Sequence, residues 1–418
     1  MNYSSFKEKV KKDIEKNRER IKKLGPGIIT GSAGDDPAGI VTYMVVGATT
    51  GLTQLWLMLL STPMLIAVQS TITKIALVSG KSLPELTTAF YSKKLTIFMI
   101  LILAVANILT IAADLEALAS IFGIITNKKP IYFLIPITAI IAYLVIYHSY
   151  KVVKKVLIIL SLSLSVYIIN VFLAKPDISL ILKNTFIPHI NIDTAWIIAA
   201  LGLLGTTISP YMLFWQASEE KEEKNTVVQA KIAQLDTVIG MIYSNILAYC
   251  IIISGAIVLY GTKENIQTMT QLAQVLEPVS NHYAFMLFSI GVIVAGFLAI
   301  PVLAGSTAYA IADAFRWRAG MENKVSDAKG FYLVFLGSLI LGDIIDVSPI
   351  SVVDALYYSQ VLDGILMPFL LAIIFVLANN KTIMGDFKNG RFNNMFLIIT
   401  FLITLFLTVY AIYQLLIQ

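Results

Sequence analysis

Long apolar runs separated by short polar segments make up most of this chain. A membrane-spanning helix needs about 20 predominantly apolar residues, and eleven runs approach or exceed that length, the ninth being short. The pattern therefore predicts eleven spanning helices, over residues 27–50, 54–78, 95–122, 131–149, 152–174, 194–217, 235–260, 284–314, 331–347, 352–378 and 395–417.

Composition supports an all-α integral membrane protein. Of the 418 residues, 57% are hydrophobic and 14% are charged, whereas a soluble domain carries about 25% charged residues. The single cysteine, Cys250, excludes a disulfide within the chain. We expect the lipid bilayer as a partner and no nucleic acid.

The basic residues predict the orientation. If the charged arm at residues 1–23 is cytoplasmic, 26 of the 31 lysines and arginines fall on the cytoplasmic side. Cytoplasmic loops carry such an excess, so we predict a cytoplasmic N-terminus in the plasma membrane. The five basic residues on the outer side are Lys128, Lys129, Lys175, Lys183 and Lys263.

Two of the predicted spans, the first and the sixth, contain helix-breaking sequences. The first carries "GSAGDDPAG" at residues 31–39, and the sixth carries "GTTISPY" at residues 205–211, where Pro210 removes a backbone donor. They lie five helices apart, so two halves of five helices have opposite orientations, as in transporters whose broken helices form a site near the midplane. We expect this 5+5 inverted repeat over residues 24–174 and 194–378, followed by a cytoplasmic loop and helix 11 at 379–418. The alternative is two ordinary proline kinks.

The residues at the two breaks predict a cation-binding site. A carboxylate at the membrane centre costs several kcal/mol unless it is paired, and a cation would offset the cost of Asp35, Asp36 and the carbonyls freed by unwinding. The breaks contain no histidine or cysteine, so the oxygen-rich surroundings suit Mg²⁺, Ca²⁺ or Mn²⁺. Which of the two aspartates meets the ion is open. The hydroxyl groups available are those of Ser32, Thr206, Thr207 and Ser209.

Further polar residues interrupt the third span at "IAADLEALAS". Asp114 and Glu116 are candidates for a proton or ion relay; alternatively, both face an aqueous cavity and have no role in transport.

The seventh and tenth spans also contain polar side chains. In the tenth span, Gln360 and Asp363 share a helix face. They either form a polar seam that holds two helices together or contribute to the ion site. The same two roles are open for Asn245 in the seventh span. Asp343, Asp346 and Asp354 are expected to form a solvated rim outside.

Several of these motifs resemble the Nramp family of divalent metal transporters. The resemblance rests on "GPGIITGSAGDDPAGIVTYMVVGATTGLTQLW" and "LGTTISPYMLFWQAS", with support from "VSGKSLPEL", "ADLEALA" and "SQVLDGILMPF". It implies a leucine-transporter-like fold in which an ion binds between the discontinuous helices 1 and 6. By position it implies a central ligand at Asp36, carbonyl ligands at Ala33 and Thr206, an amide ligand at Gln360 and a proton-linked Asp114.

The chain departs from the family pattern at three positions. Gly39 stands where the family has asparagine, Ser209 where it has methionine, and Tyr211 where it has histidine. Loss of the thioether removes a preference for softer metals and is expected to widen the site for an ion that keeps its water, as Mg²⁺ does. The chain therefore resembles the Nramp-related magnesium transporters. Tyr211 does not titrate near neutral pH, which argues against proton coupling through this position.

We therefore expect a monomeric transporter, not an enzyme, that moves Mg²⁺, with Mn²⁺ as a second substrate, by alternating access with weak or no proton coupling. The ion is substrate, and no cofactor is expected. The alternatives are a proton-coupled Mn²⁺/Fe²⁺ importer, a Na⁺-coupled organic-solute symporter and a metal sensor. The candidate metal residues are Asp36, Ala33, Thr206, Ser209, Gln360, Gly39 and Asp35, with Asp114 and Glu116 on a proton or ion pathway.

Overall fold

The computed structural model describes residues 34–147, 162–222, 230–261, 266–274, 284–345 and 351–417. Within these ranges the secondary structure is helical, with no β-strand. The helices of the first half are α1 (Pro37–Thr50), α2 (Leu55–Ser79), α3 (Leu83–Phe90), α4 (Lys93–Thr126), α5 (Ile131–Tyr147), α6 (Val166–Ala174) and α7 (Ile178–Phe186).

The remaining described helices continue the same pattern. They are α8 (Thr194–Thr207), α9 (Pro210–Glu222), α10 (Ala230–Leu259), α11 (Met269–Ala273), α12 (Ala284–Phe315), α13 (Lys329–Ile345), α14 (Val352–Asn379), α15 (Lys381–Met384) and α16 (Arg391–Ile417).

Seven helical segments among the described residues, one of them α8 and α9 taken together, are long and apolar enough to cross a membrane. α1, α5 and α13 coincide with further predicted spans but are shorter, and the count of eleven stays a prediction. The seven segments are Leu55–Ser79, Lys93–Thr126, Thr194–Glu222, Val238–Leu259, Phe285–Phe315, Val352–Asn379 and Arg391–Gln414.

The sixth predicted span is broken, as its sequence indicated. α8 ends at Thr207, Ile208 and Ser209 are not helical, and α9 begins at Pro210. Proline suits the first position of a helix because the N–H it lacks would have no partner inside the helix there. The predicted discontinuity in helix 6 is confirmed.

The first predicted span is helical only from Pro37 onward among the described residues. Gly34, Asp35 and Asp36 precede α1 as non-helical chain, and Asp36 is its N-cap. The earlier part of this span, including Ser32 and Ala33, lies outside the described residues.

The apolar pattern did not predict four short helices between the spans, α3, α7, α11 and α15. A window of about 20 residues cannot detect such elements, although capping residues mark two of them: Ser82 with Glu85, and Thr268 with Gln271, form capping boxes.

The helices that carry the two breaks pack together at the centre of the protein. α1 packs mainly against α10, α8 and α14, while α8 packs most extensively against α14. α4 reaches the same centre through its contacts with α1, α12 and α14. The break residues of α1 and α8 are therefore surrounded by α4, α10 and α14.

Candidate functional site

The start of α1 is held by two carboxylates from different parts of the chain. Asp36 accepts a hydrogen bond from the Gly39 N–H as the N-cap of its own helix. Asp114 of α4 accepts one from the Ala38 N–H, with 3.0 Å between nitrogen and Oδ1. The first N–H groups of a helix lack intrahelical partners and carry partial positive charge, so both buried carboxylates gain electrostatic stabilisation here.

Ser209 connects the helix-six break to the end of α8. Its hydroxyl donates to the carbonyl oxygens of Thr206 at 2.8 Å and Gly205 at 3.0 Å. The Thr206 carbonyl, expected as an ion ligand, therefore already accepts a hydrogen bond. A carbonyl oxygen has a second lone pair, so it can also bind a cation.

Tyr211, in the first turn of α9, extends toward the carboxylates. Its hydroxyl donates to Oδ2 of Asp36 at 3.3 Å. The same side chain lies within electrostatic range of Asp36, Asp114 and Asp363. The N-cap of α1 and residues of α4 and α14 thus each contribute an acidic group near this buried phenol.

Several buried oxygens near the breaks have no hydrogen-bond partner among the described residues. Buried polar atoms are nearly always paired, and each exception calls for an explanation such as a bound ion or water. Four such oxygens at the centre of the protein are Oδ2 of Asp114, Oε1 of Gln360, and Oδ1 and Oδ2 of Asp363.

The structure brings most of the predicted site residues together but separates two of them. Asp36, Gly39 and Thr206 meet directly, and Asp114 joins them through Ala38. Asp35 is bound instead by the Ser244 hydroxyl of α10, 3.1 Å from its Oδ1.

Glu116 is likewise separated from Asp114. It lines a cavity of 220 Å³ together with Asp354, Tyr358 and Ser359, whereas Asp114 does not line this cavity. The two residues are two positions apart on α4, about 200° around a helix, so they face different surroundings.

The space beside Gly39 is occupied by its neighbours. A Cβ atom at this position would lie 2.6 Å from Oγ1 of Thr206 and 2.9 Å from Oδ1 of Asp36. The neighbouring side chains fill the space that a side chain at position 39 would need. Gly39 is therefore a close-contact point between the two breaks.

Sequence reasoning missed Ser244 and the bond that joins Tyr43 of α1 to Thr207 of α8, 3.1 Å between their hydroxyl oxygens. Isolated hydroxyl residues in apolar helices are too common to be informative, so the sequence contained no clear signal for either. Asn245 donates to Ser61 and Thr62 of α2, as a polar seam between helices would.

The side chains that line the two breaks can bind an ion through oxygen atoms. The side chains around the two breaks offer carboxylate, amide and hydroxyl oxygens, which suit hard divalent cations. Among the described residues, no three His, Cys, Asp or Glu side chains lie close enough together to hold one ion. An ion here would therefore be bound partly by backbone carbonyls, amides or water.

A protein-family model covers almost the whole chain. The model for Nramp, the natural resistance-associated macrophage protein-like family, matches residues 27–414. The chain belongs to the Nramp family. Nramp proteins are transporters of divalent metal cations, so this chain is a multi-pass membrane transporter for which the metal is substrate rather than cofactor, and it is not an enzyme.

Two relatives with names of the same kind match the chain at low identity. The divalent metal cation transporter MntH of Caldanaerobacter subterraneus subsp. tengcongensis is 24% identical over 383 residues, 88% of this chain and 87% of the relative. The natural resistance-associated macrophage protein 2 homolog of Dictyostelium discoideum is 26% identical over 406 residues, 92% of this chain and 62% of the relative.

Solved structures confirm the predicted leucine-transporter-like fold. The Eremococcus coleocola manganese transporter matches with a TM-score of 0.75 at 16% identity, covering 93% of this Nramp chain and 85% of the other. MhsT in complex with L-phenylalanine matches with a TM-score of 0.59 at 14% identity, covering 92% and 98%.

Proposed function

We propose that this Nramp protein transports Mg²⁺ down its electrochemical gradient, with Mn²⁺ as a second substrate and with weak or no proton coupling. The observation that carries the proposal is the oxygen-only character of the two breaks, with Ser209 at the family's methionine position. The Ser209 hydroxyl bonds the carbonyls of α8, so no sulfur atom stands where it would favour softer metals over Mg²⁺.

Asp36 is the central ligand in this proposal. It is fully buried, and it lies where the start of α1 meets Thr206 at the end of α8. The C-terminal end of a helix carries partial negative charge, so the end of α8 adds to the attraction for a cation. Gln360, Ser209 and a carbonyl of Ala33, which lies outside the described residues, complete the proposed ligands.

In this proposal Asp114 stabilises the site without contacting the ion directly. It accepts a hydrogen bond from the Ala38 N–H through one oxygen, while its other oxygen has no partner among the described residues. Asp35 and Glu116 are left out of direct ligation, since Asp35 bonds Ser244 and Glu116 lines a separate cavity.

The test is metal uptake into proteoliposomes that contain a Mg²⁺-sensitive dye and a pH indicator. Wild type is compared with Asp36→Asn and with Asp343→Asn, a matched control whose carboxylate lies on α13 and bonds Thr138. We expect Mg²⁺ entry in wild type and the control, at least about a tenfold loss in Asp36→Asn, and no acidification. Absence of Mg²⁺ entry in active wild-type protein would refute the proposal.

A proton-coupled Mn²⁺ importer is the second candidate. It is favoured by the relatives, because one solved structure of this fold is named a manganese transporter and several relatives are named MntH. Under this alternative, Mn²⁺ uptake acidifies the vesicles while Mg²⁺ uptake is absent. The solute-symporter alternative has no support beyond the shared fold.

The remaining features of the proposal concern organisation. We propose a monomer in the plasma membrane, with residues 1–23 as a cytoplasmic arm, a transporter core at 24–378 and a last cytoplasmic loop and helix at 379–418. Labelling of single cysteines placed at Lys81 and Lys128, in a Cys250→Ala background, tests the orientation. We expect the first label only from the cytoplasmic side and the second only from outside.

A further inference from the structure

Asp363 lies buried in the middle of α14, with no hydrogen-bond partner in the part of the chain that the structure describes. It is 1% exposed, and neither carboxylate oxygen has a hydrogen-bond partner among the described residues. An unpaired carboxylate at membrane depth is unfavourable by several kcal/mol. Polar residues that persist in such positions face a cavity, a partner or a transported ion.

A role as a seam between helices does not fit Asp363. Asn107 of α4 shows what a seam residue looks like in this protein, because its amide donates to Ser306 and Thr307 of α12, both at 2.8 Å. Asn245 makes comparable bonds to α2. Asp363 makes no such bond to any described neighbour.

The packing of α14 places Asp363 beside the helix-six break. A Cβ atom at Gly205 would lie 2.0 Å from the Gln360 carbonyl oxygen, and one at Gly364 would lie 2.4 Å from the Leu201 carbonyl oxygen. The backbones of α8 and α14 therefore touch just before α8 ends, which small residues permit. Asp363, next to Gly364, is held near the negative end of the α8 dipole.

The other two carboxylates of the site are compensated differently. Asp36 and Asp114 each accept an N–H from the first turn of α1, whereas Asp363 accepts none from any described residue. Asp363 is close enough to Asp36 for the two carboxyl groups to interact electrostatically. Asp36 and Asp363 thus repel each other beside the C-terminal end of α8, and a divalent ion bound there would relieve the repulsion.

We infer that Asp363 is a third carboxylate of the ion site and binds the transported Mg²⁺ through water molecules that the ion retains. The inference rests on the proposed function. Contact through water fits the finding that no three acidic side chains among the described residues lie close enough together to hold one ion directly. Mg²⁺ dehydrates reluctantly and is usually bound through few carboxylates with several waters kept, and water-mediated contacts are nearly as favourable as direct ones.

Asp363 would then contribute to selectivity. An ion that sheds water readily reaches the direct ligands of the breaks, whereas Mg²⁺ depends more on groups that hold its water. We therefore expect Asp363→Asn to raise the KM for Mg²⁺ at least about fivefold and the KM for Mn²⁺ less than about twofold. Asparagine has the same shape and still forms hydrogen bonds, so folding should be preserved.

The experiment measures concentration-dependent uptake of both ions in proteoliposomes, for wild type, Asp363→Asn and the Asp343→Asn control. Thermal unfolding in detergent, with and without Mg²⁺, provides a second readout. Without Mg²⁺, Asp363→Asn should melt no lower than wild type because a buried unpaired charge has been removed. Its stabilisation by Mg²⁺ should be smaller than that of wild type, as weaker binding requires.

The outcomes separate this inference from the proposed function. Mg²⁺ uptake by the wild type tests the proposed function. The ratio of the KM for Mg²⁺ in Asp363→Asn to that in the wild type tests the role of Asp363. If wild type transports only Mn²⁺, the proposed function fails, and Asp363 is then judged by Mg²⁺ binding: a smaller Mg²⁺-dependent rise in melting temperature in Asp363→Asn than in wild type supports its place in the site. An unchanged KM for Mg²⁺, an unchanged Mg²⁺-dependent rise in melting temperature, or equal weakening of both ions with a lower melting temperature would overturn the inference.

Discussion

The hydroxyl of Tyr211 donates a hydrogen bond to Oδ2 of Asp36, 3.3 Å away. This bond ties the first turn of α9 to the start of α1, across the two breaks. The family places a histidine where this chain has Tyr211, and a histidine is the one side chain whose unperturbed pKa lies in the physiological range. A phenol keeps its proton there, so this position supplies a hydrogen-bond donor whose charge does not change with pH.

Tyr211→His should therefore make transport dependent on pH. Below its pKa of about 6.5 a histidine is positively charged, and a positive charge beside Asp36 repels the incoming cation. We expect the rate of the variant relative to wild type to fall at least about threefold between about pH 7.5 and 5.5. Uptake measured across this range tests it, with Tyr211→Phe as control. An equal pH profile for all three proteins would contradict the role assigned to this position.

Gly39→Ala should impair the ion site. The added Cβ would lie within 3.0 Å of three atoms belonging to Thr206, Asp36 and Gly34, so the two breaks would have to move apart. We expect at least about a tenfold loss of metal uptake, since small displacements in a binding site are costly. The measurement is uptake normalised to reconstituted protein. Gly337→Ala is the matched control, because a Cβ there meets nothing within 4 Å; equal activity of both variants would refute the prediction.

The helices and breaks could largely be predicted from the sequence, because bilayer thickness fixes the length of an apolar run and proline marks a helix start. Pro210 located the second break, and the carboxylates Asp36 and Asp114 stood out within apolar surroundings. These are local properties, and the fold retains them.

The relative orientation of side chains could not be predicted. Asp35 and Asp36 are adjacent, so the residue that faces the ion depends on where α1 begins. In the structure, Asp35 accepts a bond from Ser244, whereas Asp36 accepts one from the Gly39 N–H. The closeness of Thr206 to Gly39 likewise depends on the contact between two helices far apart in sequence. Asp363 remained undecided because a seam residue and a site residue have the same spacing on a helix.

Asp35→Asn should slow transport without weakening ion binding. Asp35 accepts a hydrogen bond from Ser244 of α10, so it positions the chain before α1 rather than the ion. An amide can keep that bond through its oxygen but carries no charge. We expect a maximal rate reduced about threefold and a KM for Mg²⁺ within about twofold of wild type, since positioning affects turnover more than ground-state binding. A KM raised as much as in a variant of a true ligand would mean that Asp35 contacts the ion.

Ser209→Met should shift selectivity toward Mn²⁺. A thioether is a softer ligand than a hydroxyl and favours transition metals over Mg²⁺. Serine also bonds the carbonyls of Thr206 and Gly205, so Ser209→Ala is the control for loss of these bonds alone. We expect the ratio of Mn²⁺ to Mg²⁺ uptake to rise about tenfold above that of the alanine variant, which corresponds to about 1.4 kcal/mol. Competition between the two ions at equal concentration measures the ratio, and equal ratios in both variants would contradict the prediction.

Lys221 joins the end of α9 to two other helices. Its ammonium lies 2.9 Å from Oε2 of Glu85 in α3 and 2.9 Å from Oδ1 of Asp313 in α12. The Asp313 side chain is only 5% exposed, so removing the lysine leaves a buried charge without this partner. Breaking a buried pair in this way destabilises by about 3 kcal/mol or more, whereas an exposed pair contributes less than about 1 kcal/mol.

Lys221→Met should therefore lower the melting temperature of the purified protein by about 6 °C or more, if each kcal/mol shifts it by about 2 °C. Adding Asp313→Asn should restore part of the loss, because the uncompensated charge is then removed. Arg318→Met is the control for an exposed pair, since Arg318 lies 3.8 Å from Asp327 and is 63% exposed; its melting temperature should stay within about 1 °C of wild type. Equal effects of the two single substitutions would mean that Lys221 contributes no more than an ordinary surface charge.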